Sequence, residues 1–281
     1  MNKLLLALLF VFNFQVVGQN FNQKLLYDSI NKSTIPFAII SEPPFNKGFY
    51  ADSVGYFSIN SQVDSIMISC AGYGVSKIQL SLINDTIFLD PSKKMLEEVT
   101  VYANNYSRDK TRTIGFTKRS RISVQIPNGW ELATLIKPDN NDLTGLVDKV
   151  ILKIRNANES PLFRIHFYYN NRGKPGSEFS FSNKIIKADN GLNKNVIIND
   201  FISYNIEIPK DGIFVSFESI KIDNSVKPEF YLTNKYDQEK TFCRSKLDYD
   251  QWISLYDSGL TRLLSKTKNL NLCVALEALY N

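Results

Sequence analysis

The sequence predicts an all-β protein built from two antiparallel sandwiches. Short runs rich in Val, Ile, Phe and Tyr recur along the chain, and Gly, Pro, Asn and Asp separate them at intervals of about eight to twelve residues. Within many runs, apolar and polar side chains alternate, which is the period of a strand with one buried face. A chain of 281 residues is also long enough to enclose two cores.

The first sandwich is predicted between residues 35 and 101. In the run that begins at Ser65, the apolar Ile66, Ile68 and Cys70 occupy alternate positions and can share one inward face. The runs 85–89 and 98–101 repeat this pattern. The segment Asp52-Ser53-Val54-Gly55 has the composition of a turn, and Gly55 suits a backbone position of positive φ.

Four segments of this region, taken together and in this order, resemble the carboxypeptidase-like regulatory domain: Pro36–Ile40, Tyr50–Ile59, Asp64–Tyr73 and Met95–Val101. The resemblance covers about residues 24–103, which is roughly a third of the chain. It implies a transthyretin-like sandwich of seven strands, of a kind common in secreted and outer-membrane proteins of Bacteroidota. The family is named for its position beside a peptidase domain, so the resemblance implies no catalytic residues.

The beginning of the chain predicts export. A positive start at Lys3 and the apolar run Leu4–Phe14 are typical of a secretory signal peptide, with cleavage expected after Gly18. An uncleaved anchor is the alternative, but the run is shorter than the roughly 20 apolar residues of a membrane helix. The mature protein is therefore expected in the periplasm, on the outer-membrane surface or outside the cell, with no integral membrane span.

The predicted domain boundaries follow from these patterns: a signal peptide at 1–18, the regulatory-type domain at 19–103, a linker at 104–121 and a larger sandwich at 122–281. The formal net charge is +5, and basic residues cluster only at 108–112 and 118–121, inside the predicted linker. Such a run is typical of a solvated linker, and contact with an anionic envelope polymer is the alternative. An exported chain without a stripe of Arg and aromatic residues is not expected to bind nucleic acid.

Strand patterns resume after the linker and predict a second antiparallel sandwich of about eight strands. The run 146–154 alternates, and in the run 162–169 Phe163, Ile165 and Phe167 are expected to point inward. The run 213–218 is a further strand, and 271–278 is interpreted as a closing strand. With the segments Phe163–Tyr168, Gly173–Gly176 and Asp211–Glu218, this half resembles a region often found behind the regulatory domain in Bacteroidota secreted proteins. Its outline is similar to jelly-roll modules of the carbohydrate-binding kind.

Motifs for catalysis are missing from the sequence. The chain has one histidine, too few for a carboxypeptidase zinc site, and no Gly-x-Ser-x-Gly elbow. Glu97 and Glu98 would point to opposite faces of a strand. His166 is expected on the solvent or second-layer face of its strand. The sequence therefore predicts that the chain is not an enzyme and has no catalytic residue, metal or cofactor.

Two smaller questions stay open in the sequence. The oxygen-rich run Asp139–Asp142 favours a turn, and a calcium site is the alternative. Cys70 is expected inside a strand, whereas Cys243 and Cys273 could form a disulfide in an exported chain.

Aromatic residues in the second region give the one positive indication of binding. Trp130, Tyr168 and Trp252 are candidate ligand-binding residues, because exposed aromatic faces can stack on sugar rings or accept a protein partner. We therefore expect an exported, non-enzymatic binding or structural protein of the cell envelope, with a spacer sandwich and a second sandwich that presents the interaction surface. The alternative is a carbohydrate-binding protein that aids polysaccharide capture. The expected partner is an envelope protein or a glycan.

Overall fold

The fold was analysed in a computed structural model. The structure describes residues 23–42, 47–59, 63–70, 72–82, 84–91, 106–138, 144–156, 159–179, 185–188, 195–198, 201–220, 226–236, 238, 240–247, 249–261 and 269–280. The predicted signal peptide, the predicted strand at 98–101, the Glu97–Glu98 pair and the Asp139–Asp142 run lie outside these residues.

The prediction of an all-β protein with two sandwiches is confirmed. Within the described residues, the first sandwich contains the seven strands β1 (Gln23–Asp28), β2 (Ile39–Glu42), β3 (Lys47–Tyr50), β4 (Tyr56–Ser58), β5 (Ser65–Ser69), β6 (Ser76–Gln79) and β7 (Thr86–Leu89). They form a three-stranded sheet in the order β4-β1-β7 and a four-stranded sheet in the order β3-β2-β5-β6. One pair departs from the antiparallel prediction, because β1 and β7 run parallel.

The core of the first sandwich lies between its two sheets. Ile66, Ile68 and Cys70 are all buried in it, as their alternation predicts. The predicted turn is also confirmed: Gly55 has φ of 97°, and Asp52 Oδ1 accepts the backbone N–H of Tyr56 at 2.8 Å. A side chain at Gly55 would be strained in this left-handed conformation.

The second sandwich contains the strands from β8 to β22. Their bounds are β8 (Ser107–Gly115), β9 (Ser123–Gln125), β10 (Trp130–Ile136), β11 (Gly145–Lys153), β12 (Leu162–Asn171), β13 (Lys174–Glu178), β14 (Ile185–Lys187), β15 (Asn195–Ile198), β16 (Glu207–Ile208), β17 (Ile213–Ile220), β18 (Glu229–Thr233), β19 (Thr241–Ser245), β20 (Tyr249–Ser254), β21 (Asn271–Leu272) and β22 (Val274–Tyr280). The pattern predicted about eight, because strands of two or three residues are too short to show a period.

Two sheets of the second sandwich enclose its core. The large sheet has the order β13-β12-β17-β10-β19-β20, with β14 also paired to β12, and the opposing sheet has the order β15-β11-β22-β8, with β16 paired to β11. Phe163, Ile165 and Phe167 of β12 are buried between them, as predicted. A small sheet, β21-β18-β9, continues the sandwich beside them.

The segment predicted as a linker is different in the structure. Strand β8, Ser107–Gly115, lies within residues 104–121 and pairs with β22 of the opposing sheet. The many charged residues of this segment favoured a solvated connection, but an edge strand tolerates charged side chains because one of its faces and one of its edges meet water. Much of the predicted linker therefore belongs to the second sandwich.

The two sandwiches are in contact through the outer face of the large sheet, the face turned away from the second core. Ile39 and Tyr50 of the first sandwich cluster with Ile220 of β17, with Leu247 packed beside them. Leu247 lies against two glycines: a Cβ at Gly48 of β3 would be 2.8 Å from its Cδ2, and a Cβ at Gly129 would be 2.3 Å from its Cγ. Only glycine leaves room for this leucine at both positions.

Candidate functional site

A row of charged side chains crosses the outer face of the large sheet. Its four members face one another in register on the adjacent strands β12, β17, β10 and β19: Arg164, Glu218, Glu131 and Arg244. Glu131 and Glu218 are fully buried, and Arg164 is 2% exposed. With His166, Glu178 and Lys246 they form what we call the charge cluster.

The two adjacent carboxylates of this row are held together by a cation. Glu131 and Glu218 are direct cross-strand neighbours, so their like charges repel each other. The ammonium group of Lys246, which follows β19, lies 3.6 Å from Glu131 Oε2 and 3.4 Å from Glu218 Oε2. At the ends of the row, Arg244 Nε binds Glu131 Oε2 at 2.9 Å and Arg164 Nη1 lies 3.4 Å from Glu218 Oε2.

His166 lies one step along the sheet, with a carboxylate on each side of its ring. Nδ1 is 2.6 Å from Glu178 Oε1 on β13, and Nε2 is 2.8 Å from Glu218 Oε2 on β17. The imidazole is 2% exposed. Both nitrogens can donate at once only when the ring is protonated, so this geometry favours the imidazolium ion.

The first sandwich completes the cluster. The Tyr50 hydroxyl donates to Glu218 Oε1 at 2.5 Å, and Arg164 Nη2 donates to the backbone carbonyl of Phe37 at 2.7 Å. Without these two groups, a buried carboxylate oxygen and a buried guanidinium nitrogen would each lose a partner, which costs about 1–3 kcal/mol per group or more for charges. The charge cluster is therefore also the polar part of the contact between the sandwiches.

Neutral hydroxyl groups donate hydrogen bonds to the second carboxylate oxygen of Glu131. Its Oε1 accepts hydrogen bonds from the hydroxyl of Tyr168 at 2.7 Å and from the hydroxyl of Ser216. Arg244 Nη2 donates to the same Tyr168 oxygen at 2.8 Å. The bonds of Glu131 thus link the charge cluster to an apolar group farther along the same face, formed by Tyr168, Phe214 and Leu135.

The environment keeps the carboxylates ionised. Burial raises the pKa of Glu131, but Lys246 and Arg244 outweigh it and lower that pKa to about 2. Burial also raises the pKa of Glu218, but Lys246 and Arg164 hold that pKa well below the usual range. Burial raises the pKa of Glu178 too, but its hydrogen bond to His166 and the charges of His166 and Lys246 together lower that pKa.

The basic groups are shifted toward their charged forms. Burial and the Lys246 cation oppose protonation of His166, but Glu131 and the two hydrogen-bonded carboxylates raise the pKa of the ring above its usual value. Burial likewise opposes the charge of Lys246, and Glu131 and Glu218 raise its pKa. Ionised carboxylates and protonated bases in mutual contact stabilise one another, so the cluster acts as an ion-pair network.

The cluster predicts a stability maximum in mildly acidic solution. Glu131 has a folded pKa below its unfolded value of 4.5, so its contribution, on the order of 3 kcal/mol, is present above pH 4.5 and is lost as the pH falls toward 2. His166 has a raised folded pKa, so its contribution is present below 6.5 and is lost as the pH rises through that folded value. Urea unfolding at a series of pH values measures both limbs. Since the chain has one histidine, a flat profile from pH 6.5 to 9 would contradict the role of His166.

The three residues predicted from the sequence to bind a ligand lie on two faces of the large sheet. Tyr168 and Trp252 meet on the outer face with their ring centroids 5.5 Å apart, and Tyr168 is 2% exposed. The guanidinium of Arg244 covers the Trp252 ring at 4.3 Å from its centroid. Trp130 is half-buried and packs against the second core. The structure thus brings Tyr168 and Trp252 together, and Tyr168 has no exposed ring face for stacking.

Sequence reasoning missed the charge cluster. His166 does lie on the face turned away from the core, as expected, but it is buried and has two carboxylate partners that no motif signalled. The available signal was the outer face of β12, where Arg164, His166 and Tyr168 alternate with the core residues, together with Glu218 on the next strand of the sheet. Polar residues opposite a core are normally solvated, so a structure that covers them could not be expected from the sequence.

The remaining predictions about chemistry can be compared with the described residues. Cys70, Cys243 and Cys273 are all buried, and none of the three forms a disulfide in the described structure. Among the residues that the structure describes, no group of three or more His, Cys, Asp or Glu side chains is placed to hold a metal ion. Over the same residues, none of the helices has the length and hydropathy needed to span a membrane.

Comparisons with known proteins give two solved structures of similar shape. No protein-family model and no curated protein matches the chain. One structure is that of the clostridial cysteine protease Cwp84 after propeptide cleavage, with a TM-score of 0.44 and 8% identity over 62% of this chain and 41% of that one. The other contains the cysteine protease and lectin-like domains of Cwp84, a surface-layer-associated protein of Clostridium difficile, with a TM-score of 0.44 and 8% identity over 83% of this chain and 48% of that one.

These structures correct one prediction from the sequence. The chain was expected not to be an enzyme, and that expectation is withdrawn because the chains of similar shape come from a cysteine protease. This chain spans less than half the length of either, and a TM-score of 0.44 carries no argument about its own activity.

Proposed function

We propose that this chain is an exported binding protein of the cell envelope whose two sandwiches form one rigid unit. The observation that carries the proposal is the sealed charge cluster: Tyr50 and the Phe37 carbonyl of the first sandwich complete the bonding of Glu218 and Arg164 in the second. A contact made of buried, mutually bonded charges tolerates little sliding or rotation, because any displacement leaves a charge without its partner. Export rests on the signal-like start of the sequence.

Rigid docking has a consequence for binding. The outer face of the large sheet is partly occupied by the first sandwich, so a partner has to use the remaining surfaces of the unit. Fixed docking also keeps those surfaces of the two sandwiches at constant positions relative to each other, which lowers the entropy cost of a partner that contacts both. An envelope protein or a glycan is the partner class that we propose.

Glycan binding is the second candidate, and one observation favours it. The ring of Tyr169, at the end of β12, is 46% exposed and stacks on Phe179 with the centroids 3.8 Å apart and the planes at 20°. A flat, partly exposed aromatic pair of this kind can accept the face of a sugar ring. Tyr169 was not one of the three candidate ligand-binding residues named from the sequence.

Binding of the chain from Gln19 to Asn281 to arrayed envelope polysaccharides and envelope proteins tests the proposal. Saturable binding to a member of either array is the expected result, and its absence from both would overturn the proposal. Tyr169→Ala, Trp130→Ala and Trp252→Ala variants measured beside the parent chain separate the candidates. Loss of polysaccharide binding in Tyr169→Ala alone would place glycan binding first, whereas unchanged binding in all three would remove these aromatics from the site.

A further inference from the structure

Five basic side chains gather on one side of the second sandwich, away from the charge cluster. Lys118, Arg119, Arg121 and Lys235 are exposed, and Lys153 is half-exposed. We call these five residues the basic patch. Three of them belong to the run 118–121, and the fold adds the other two from distant parts of the chain.

Backbone pairing brings the members of the basic patch together. Lys153 of β11 donates its N–H to the carbonyl of Cys273 at 3.1 Å, and Cys273 donates to the carbonyl of Tyr231 at 2.9 Å. The guanidinium of Arg119 lies over the Tyr231 ring, 4.6 Å from its centroid. Lys153, Arg119 and the strand that precedes Lys235 therefore lie around one point on the surface.

The electrostatics of Cys273 agree with this placement. Burial raises the pKa of its thiol to about 11, while the charges of Lys153, Arg119 and Lys235 act in the opposite direction. All three cations are thus close enough to influence one sulfur atom.

The charges of the basic patch are not neutralised within the described part of the chain, where none of its five members forms an ion pair. Glu229 lies two residues before Tyr231 on β18, but it is already bound by Arg155 Nη1 at 3.1 Å and by Ser123 Oγ at 2.6 Å. Unpaired, mutually repelling cations attract a polyanion, most strongly at low ionic strength.

We infer that the basic patch binds an anionic polysaccharide, one with carboxylate, sulfate or phosphate groups along its chain. This inference names a partner class for the exported binding protein proposed above and rests on that proposal. An extended polyanion matches cations that are spread over a surface. A lipid surface fits less well, because none of the large apolar side chains that are exposed in the described residues lies in 116–123 or 231–236. A membrane-binding protein of this charge would gain from an apolar anchor.

The test uses the full chain from Gln19 and a uronate polymer, polygalacturonate, with the neutral polymer dextran beside it. The parent chain is expected to bind polygalacturonate saturably and more weakly as the salt concentration rises. The triple variant K118Q/R119Q/K235Q removes three exposed charges and is expected to bind about tenfold more weakly. The variant K77Q/K174Q/K210Q removes the same charge from exposed positions outside the patch and is expected to bind like the parent.

Several outcomes would overturn the inference. Equal weakening in both triple variants would mean non-specific attraction by net charge, and dextran binding as tight as that of polygalacturonate would mean that charge is not recognised. Stronger binding to vesicles of anionic phospholipid, lost in the patch variant, would assign the patch to a membrane. Because Arg119 packs on Tyr231, the double variant K118Q/K235Q provides a second measurement without that contact. Binding to envelope proteins or to neutral polysaccharides on the arrays described above would survive any of these results, so the two proposals fail separately.

Discussion

Replacing Glu218 with Gln is expected to lower the free energy of unfolding by about 3–5 kcal/mol, the range found when one partner of a buried ion pair is removed. The carboxylate contacts Arg164, His166 and Lys246, and it accepts the hydroxyl of Tyr50 from the first sandwich. A neutral amide leaves these buried cations without one of their negative partners. Urea unfolding followed by circular dichroism measures the loss, and the melting temperature should fall by roughly 10 °C.

The matched control is Glu277→Gln on β22. Glu277 also binds a lysine, with its Oε2 2.6 Å from Lys149 Nζ, but the two side chains are 24% and 35% exposed. An ion pair in contact with water contributes about 0–1 kcal/mol, so this variant should remain close to the parent. Equal losses in the two variants would show that the position of Glu218 in the cluster has no special importance.

Replacing Gly48 with Ala is expected to cost about 1–3 kcal/mol, the range for overpacking a filled site. The added methyl would lie 2.8 Å from Leu247 Cδ2 and 3.3 Å from Leu247 Cα, so a side-chain rotation alone does not relieve the contact. Gly48 belongs to the first sandwich and Leu247 to the second. The strain therefore acts across the contact between them and should loosen the docking of the first sandwich.

Limited proteolysis detects that loosening. Cleavage that separates the two sandwiches should occur sooner in Gly48→Ala than in the parent chain. Gly74→Ala serves as the control, because Gly74 is in the same sandwich and no atom lies within 4 Å of the position of its added methyl. Faster release in the control than in Gly48→Ala would contradict the packing of Leu247 described above.

The sequence predicted which residues share a face of a strand better than it predicted what covers that face. Alternation placed Phe163, Ile165 and Phe167 in the core and put Arg164 and His166 on the opposite face, and the structure agrees. The period of a strand identifies which residues share a face. It contains no information about what covers that face, so the burial of Arg164 and His166 could not be predicted.

Long-range pairing explains the other differences. The parallel pairing of β1 with β7 joins segments about 60 residues apart, and β8 pairs with β22 near the opposite end of the chain. The pairing of β8 with β22 cannot be identified from the local composition of 107–115, which is rich in charged residues and was interpreted as a linker. The short strands were missed for a related reason, since pairing with neighbours defines them more than any pattern of their own.

The basic patch shows what the sequence could supply and what the fold adds. The run 118–121 was noted as a basic segment with an anionic polymer as the alternative to a solvated linker. Lys153 and Lys235 could not be assigned to it, because only the ladder from β11 through Cys273 to Tyr231 places them beside it. Only folding thus turns a local run of charge into a surface with five basic side chains.

The measurement that tests the account most directly is a double-mutant cycle between the two sandwiches. Tyr50→Phe, Glu218→Gln and the double variant are compared with the parent chain by urea unfolding. Because the Tyr50 hydroxyl donates to Glu218, we expect a coupling energy of about 0.5–3 kcal/mol between the two changes. If the effect of the double variant equals the sum of the two single effects to within about 0.3–0.5 kcal/mol, the two residues do not interact. That result would contradict a rigid unit sealed by the charge cluster.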